Sequence, residues 1–241
     1  MNLHGKVALV TGGAVRIGRA ICEALAAEGA RVVIHYRSSR PEAVALAKSI
    51  GGIAIPSALD SESACRSLVA QCVRKAGRLD LLVNNVATFH KDSLRGITAR
   101  KLNDEFWPNL FVPALLIREF ARVARRGAIV NLLDRRIAGL DTSCIPYVLT
   151  KKAAGELTRL AALELAPRIT VNAVAPGAIL PPPGKGKDYL RDKAGPVPLR
   201  RQVTPDEVAR AVVFLLEQGS VTGQILFVDG GQNLLGTESH G

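Results

Sequence analysis

The sequence is poor in aromatic residues: Phe, Trp and Tyr make up 4% of its 241 residues, and there is one Trp. Basic residues are plentiful, 32 Lys and Arg against 21 Asp and Glu, for a net charge of +11. They are scattered, as at Arg122, Arg125, Arg126, Lys185, Lys187, Arg200 and Arg201, with no aromatics interleaved. Nucleic-acid binding leans on basic grooves with aromatic stacking platforms, so the charge points instead to a phosphate-rich small molecule and to no nucleic acid. No apolar run is long enough to span a bilayer, and the N-terminus lacks the layout of a signal peptide, so a cytoplasmic protein with no membrane association is expected. The four cysteines, Cys22, Cys65, Cys72 and Cys144, show no metal-ligand spacing. Reduced thiols and no metal are expected. There is no repeat and no linker. With 48% apolar residues and a mean hydropathy of +0.17, residues 1–241 are expected to form one domain with an ample core.

What is present is an alternation of strand-like and helix-like segments. Residues 6–11, KVALVT, are β-rich and run into TGGAVRIGRA and then the helical pattern ICEALAAEG. Strand, glycine turn and helix together form the context in which a glycine-rich motif holds a dinucleotide. Gly12 and Gly13 allow a tight turn, and Gly18 lets the helix lie close to the strand. The helix N-terminus then offers free N–H groups to a pyrophosphate. A second strand, 31–36, ends in His35, Tyr36, Arg37, Ser38, Ser39 and Arg40, with no carboxylate before Glu42. An NAD site places an acidic side chain here for the ribose hydroxyls, whereas arginine and serine suit a 2′-phosphate. NADPH/NADP+ is the cofactor expected.

The alternation continues with a helix over 41–49, a strand at 53–55, a helix over 62–75 and a strand at 79–83. A helical stretch over 99–122 contains Pro108, which should break its hydrogen bonding and leave a carbonyl free near Asn109. Strands at 127–133 and 169–174 follow, then a Pro-, Gly- and Lys-rich run over 179–203, a capped helix after Thr204, and a last strand in QILFVDGG. This pattern predicts an α/β protein: one doubly wound, Rossmann-type domain with a parallel sheet and helices on both faces. The 179–203 run is the candidate substrate loop.

The stretch from Asp134 to Lys151 carries the chemistry. Tyr147 and Lys151 are four residues apart and open a helical pattern after a strand, so they share one face about a turn apart. Tyrosine is a reluctant acid or base at neutral pH, and a lysine cation beside it moves its acidity toward a useful range. Asp134 stands thirteen residues before the tyrosine. Asp134 also suits a loop cap paired with Arg135 or Arg136, and Phe89 also suits plain core.

Taken together, the TG-rich turn at Thr11, Asn84–Asn85, Asn109, Tyr147xxxLys151, Pro176–Gly177 and Val228-Asp229-Gly230-Gly231 resemble the short-chain dehydrogenase/reductase family in kind, order and spacing. The resemblance covers nearly the whole chain. It implies Tyr147 as proton donor, with Lys151 as its partner and a ligand of the nicotinamide ribose. Asn109 would hold a water at the helix kink. Gly12, Arg16, Ile17, Gly18, Tyr36, Arg37 and Ser38 are implied as cofactor contacts, as are Leu59, Asn85, Pro176 and Gly177. The VTG–VDGG end implies a homotetramer. Two residues depart from the family pattern: Arg16 stands for its middle glycine and Asp134 for its serine. Its acidic residue after the third strand is absent too, with Ala58 and Leu59 there. Arg16 and Asp134, with Phe89 in NNVATF and the HYRS strand end, resemble the pteridine reductase branch.

The chemistry of Asp134 agrees with that branch. Ketone reduction builds negative charge on oxygen, which a neutral hydroxyl stabilises and a carboxylate repels. Reducing a C=N bond needs a proton on nitrogen and tolerates a nearby carboxylate, while Phe89 offers a face to a flat heterocycle. The expected activity is NADPH-dependent reduction of a pterin or dihydropterin, with Phe89, Asp134 and Tyr147 contacting it. A carbonyl or 3-oxoacyl reductase is the competing enzyme, and a catalytically weak NADPH-binding sensor or scaffold the competing non-enzyme.

Overall fold

The computed structural model describes residues 1–181, 184, 188–193 and 195–235. Its strands are β1 (Val7–Val10), β2 (Arg31–Tyr36), β3 (Ile53–Pro56), β4 (Leu81–Asn84), β5 (Gly127–Leu132), β6 (Ile169–Pro176) and β7 (Ile225–Val228). Its helices are α1 (Arg16–Ala27), α2 (Arg40–Ile50), α3 (Glu62–Ala76), α4 (Ala99–Phe106), α5 (Val112–Val123), α6 (Ile145–Leu165), α7 (Asp188–Lys193) and α8 (Pro205–Glu217). The strands form one sheet in the order β3-β2-β1-β4-β5-β6-β7, and every pairing is parallel. A parallel sheet is covered on both faces, which is why β1 is an uninterrupted apolar run and β5 is apolar or small save for Asn131, both buried throughout. One core packs α1, α2 and α8 on the sheet through Ile21, Leu25, Leu46, Val208 and Val212. The other packs α3, α5 and α6 through Leu68, Leu116, Phe120 and Ala161. The expected fold class is the observed one.

Element ends differ from the sequence expectation in instructive ways. The strand expected at 79–83 is Leu81–Asn84, because Asp80 turns its carboxylate back to the Val7 N–H, at 3.0 Å, and to Arg78. The break expected at Pro108 is a π-helical turn, Trp107–Phe111, between α4 and α5. The Val112 N–H reaches the Trp107 carbonyl five residues back, so the helix widens around the proline and its axis continues. The run over 179–203 is not wholly irregular, since it contains α7; residues 182, 183, 185–187 and 194 of it lie outside the described residues. The cap expected at Thr204 is a reciprocal box: its hydroxyl accepts from the Glu207 N–H and the Glu207 carboxylate accepts from the Thr204 N–H, at 3.3 and 2.9 Å.

The strand order reverses between β1 and β4, which opens a crevice at their carboxyl ends. Behind it, a buried polar bridge registers β4, β5 and α6. The Asn84 amide donates to Asn131 Oδ1, and Asn131 Nδ2 donates to the Thr158 hydroxyl, both at 2.9 Å. Asn131 is 3% exposed, so losing it strands a donor and an acceptor away from water. We expect Asn131→Ala to lower stability by about 2–4 kcal/mol, read as a shift in the denaturant midpoint at constant slope. A midpoint within error of wild type would mean the bridge is dispensable.

Candidate functional site

The glycine turn between β1 and α1 is built from both sides. Gly12 has φ +62, and a side chain at Gly18 would run into the Gly12 carbonyl and come within 2.7 Å of Asn85 Nδ2. The missing side chain of Gly18 therefore lets the start of α1 lie against the turn itself. Asn85 donates through Nδ2 to the Thr11 and Gly12 carbonyls, at 2.9 and 3.2 Å, tying the end of β4 to the turn. From the other side the Gly12 N–H donates to His35 Nδ1 at 3.1 Å. Arg16 has φ +57, the left-handed region that disfavours a side chain, as a position the family fills with glycine would require. Its guanidinium donates to the Leu180 and Pro181 carbonyls, at 3.4 and 2.9 Å, so it fastens the start of the candidate substrate loop to the turn.

These residues border a cleft of about 900 Å³. Gly12, Arg16, Ile17, Gly18, Tyr36, Arg37, Ser38, Leu59 and Asn85 all line it. Pro176 and Gly177 do not; Gly177 instead packs against Asp229 and bonds the Val228 carbonyl at 3.0 Å. Leu59 is held at φ +53, with its carbonyl accepting from the Trp107 indole at 2.7 Å. The helix N-terminus of α1, the absence of a carboxylate at the end of β2, and the exposed Arg37 and Ser38 fit a dinucleotide with a 2′-phosphate. NADPH should bind more tightly than NADH, and Arg37→Ala should weaken NADPH by about 10–100-fold while sparing NADH. Fluorescence titration of both cofactors checks this, and equal wild-type affinities would defeat it.

The second cluster lies on the first two turns of α6 and the loops after β4 and β5. Tyr147, 6% exposed, donates its hydroxyl to Asp134 Oδ2 at 3.0 Å. Burial, and then the charge and bond of Asp134, raise the phenol well above the ordinary tyrosine range. Lys151 Nζ bonds the Leu132 carbonyl at 2.8 Å and lies 5.8 Å from the Tyr147 ring centre. Burial pushes its ammonium down to about 8, while the charges of Asp134 and Glu105 pull the other way. Phe89 is 44% exposed and meets the Tyr147 ring edge to face, with centres 4.8 Å apart.

Asp134 is a cap and an ion-pair partner as well. Its Oδ1 accepts from the Arg136 N–H at 2.9 Å, and the Arg136 guanidinium lies 3.2 Å from Oδ2. Arg136 also bonds Asp141 at 2.9 Å and sits 5.4 Å from the Phe89 ring centre. Sequence reasoning saw Arg136 only as a possible mate for Asp134; nothing in the sequence put it against Phe89. Asn109 spends its side chain on Thr88 and Glu105. Its Oδ1 accepts from the Thr88 N–H and its Nδ2 donates to the Thr88 carbonyl, both at 3.0 Å, and to Glu105 at 2.8 Å. The two bonds to Thr88 clamp the loop after β4 and the third ties Asn109 to α4, an arrangement that the sequence expectation of a water-holding residue did not include. Glu105 was missed, and His35 read only as part of the strand end, for the same reason: each matters through partners distant in sequence.

Among the described residues no helix is long and apolar enough to cross a membrane, and no group of three His, Cys, Asp or Glu is placed to hold a metal ion.

Residues 13–233 match the family model described as enoyl-(acyl carrier protein) reductase. The chain is 34% identical to glucose and ribitol dehydrogenase homolog 2 of Arabidopsis thaliana, over 95% of this chain and 86% of that one. It is 33% identical to pteridine reductase 1 of Leishmania tarentolae, over 95% of this chain and 96% of that one. Among solved structures, a FolM alternative dihydrofolate reductase 1 from Brucella canis, complexed with NADP, superposes with a TM-score of 0.91 at 35% identity, covering 97% of this chain and 96% of that one. With the strand order, the glycine turn and the Tyr147–Lys151 pair, these matches establish that the chain belongs to the short-chain dehydrogenase/reductase family.

Proposed function

We propose that the protein uses NADPH to reduce a C=N bond of a pterin or dihydropterin. One observation carries the reading: the Tyr147 hydroxyl is already committed to a carboxylate, Asp134, at 3.0 Å. A phenol whose acidity is suppressed in this way is a poor donor to a carbonyl oxygen. A pterin presents amino and ring N–H groups beside its imine nitrogens. When such an N–H donates to Asp134, the Tyr147 hydroxyl is released to turn toward the neighbouring nitrogen. A simple ketone has no N–H with which to make that exchange. Bound NADPH would supply the hydride to carbon, and the proton goes to nitrogen. Lys151, while charged, stabilises the phenolate left beside Asp134. Phe89 gives the flat ring an apolar face, and Arg136 keeps that face and Asp134 in register.

The likeness to pteridine reductase 1 and to the FolM protein supports this substrate class. The glucose and ribitol dehydrogenase relative supports the competing carbonyl chemistry. Exposed Leu226, Leu234 and Leu235 around the VDGG end support the homotetramer expected there.

The test is an NADPH-oxidation screen over pterins, folates, activated ketones and 3-oxoacyl thioesters, run on wild type and Asp134→Ser at one pH. The pterin-to-ketone ratio should fall at least ~10-fold in the variant, because serine can donate to a developing oxyanion. A ratio that does not move, or wild-type activity on ketones alone, returns the protein to carbonyl reduction.

The role of Lys151 has its own signature. Its ammonium is charged below about 8 and neutral above it. Turnover at saturating NADPH should therefore fall as pH rises through that value. Lys151→Arg cannot lose its charge in this range, so its residual activity should lack the alkaline limb. An identical limb in both proteins would assign it to another group.

A further inference from the structure

His35, next to last in β2, lines the cleft at 2% exposure, and nothing in the substrate chemistry above uses it. Three bonds define its state. Its Nδ1 accepts from the Gly12 N–H at 3.1 Å, and its Nε2 lies 3.0 Å from the Ser57 carbonyl. An acceptor at Nδ1 and a donor at Nε2 require the neutral imidazole with its hydrogen on Nε2. The His35 main-chain carbonyl accepts from the Gly13 N–H at 3.0 Å. Both glycine amides of the turn are thereby drawn to one residue and away from the cleft. The amides left to face a phosphate are those further on, at the start of α1.

We propose that His35 is the positioning residue of the dinucleotide turn, acting as a neutral hydrogen-bonding bracket between Gly12 and Ser57 and not as a cation for phosphate. The proposal rests on the reading of the cleft as a dinucleotide site and is independent of the substrate. A histidine lining a cleft for a polyanion invites the opposite role. That role would need a proton on Nδ1, which would set two donors, Nδ1–H and the Gly12 N–H, against each other. Burial lowers the imidazole to about 4, against the bond to Ser57, which works the other way. The charged groups bordering the same cleft are Arg16, Arg37, Asp60 and Asp104, and the Cys22 thiol of α1 lies beneath Gly13. His35 is thus neutral throughout the range in which the protein would work.

Isosteres separate the two ring nitrogens. Asparagine can keep an acceptor where Nδ1 is, and glutamine can keep a donor where Nε2 is. His35→Asn should hold NADPH within about threefold of wild type and preserve slow hydrogen exchange at the Gly12 amide. His35→Gln should lose NADPH affinity by about tenfold or more and expose that amide, because the turn has lost its bracket. In both variants the rate at saturating NADPH should stay near wild type, so the effect falls on KM and not on kcat. Nitrogen NMR of the wild-type ring should show a bare Nδ1 and a protonated Nε2 at neutral pH, a measurement that stands even if a variant fails to fold. Wild-type affinity for NADPH that falls as pH rises through the ordinary histidine range would establish the cationic role and overturn the proposal. So would a protonated Nδ1, or a glutamine variant that binds as well as the asparagine one. Wild-type protein that binds no dinucleotide at all, with the Gly12 amide protected, would instead sink the reading of the cleft and leave the bracket standing.

Discussion

Where the strand order reverses, the Thr11 hydroxyl accepts from the Asn85 and Val86 amides, at 2.8 and 3.1 Å, and lies 3.3 Å from the Val83 carbonyl. Parallel strands end there with main-chain groups that no neighbouring strand can reach, and this buried side chain satisfies them. Its position decides two paths at once. On one side it fixes the glycine turn that leads into α1. On the other it aims the segment from Asn85 to Thr88, which Asn109 then clamps and which carries Phe89 to the Tyr147 ring. The dinucleotide cleft and the Tyr147 cluster are therefore two outputs of one strand junction.

The cluster around Tyr147 depends on a chain of alternating charge. Asp141 holds Arg136, Arg136 holds Asp134, and Asp134 takes the hydrogen of Tyr147. Ser143 donates to Asp141 from both its hydroxyl and its N–H, at 2.6 and 3.0 Å, which anchors the far end. Against burial, these bonds from Ser143 and Arg136 bring Asp141 down to about 2, so the anchor stays ionised across the physiological range. Each half-buried charge in this line is compensated by the next, as the cost of drawing a charge out of water demands. A family that places serine where Asp134 stands has no need of such a line.

Much of the fold was legible in the sequence because parallel sheets write themselves as apolar runs separated by helical periods. The residues of the glycine turn, the Arg37–Ser38 end of β2, and the Tyr147–Lys151 spacing were legible for a related reason: each is local, confined to one turn or one helix face. What escaped was set by long-range pairing. The place of Asn109 depends on Thr88, 21 residues earlier, and that of His35 on Gly12 and Ser57. Pro108 was read as a break because its missing N–H is visible in sequence, whereas the wider π turn that absorbs it is not. Helix α7 was hidden by a run of prolines, glycines and lysines whose composition speaks for a loop.

Arg16 gives the cleft a history as well as a shape. The bracket at His35 joins residues 23 apart, the tie to Asn85 joins residues 74 apart, and the bond from Arg16 to Pro181 joins residues 165 apart. Closing each successive loop costs more chain entropy and requires more of the sheet to exist first. The bracket needs only the first strand-helix-strand unit. The tie needs the fourth strand, and the Arg16 contact needs everything through the sixth. During synthesis the turn is thus braced from one side, then two, and receives its third brace only when most of the chain has been made. That final brace is borne by a residue held at φ +57, so the last brace to form rests on a strained stretch of backbone.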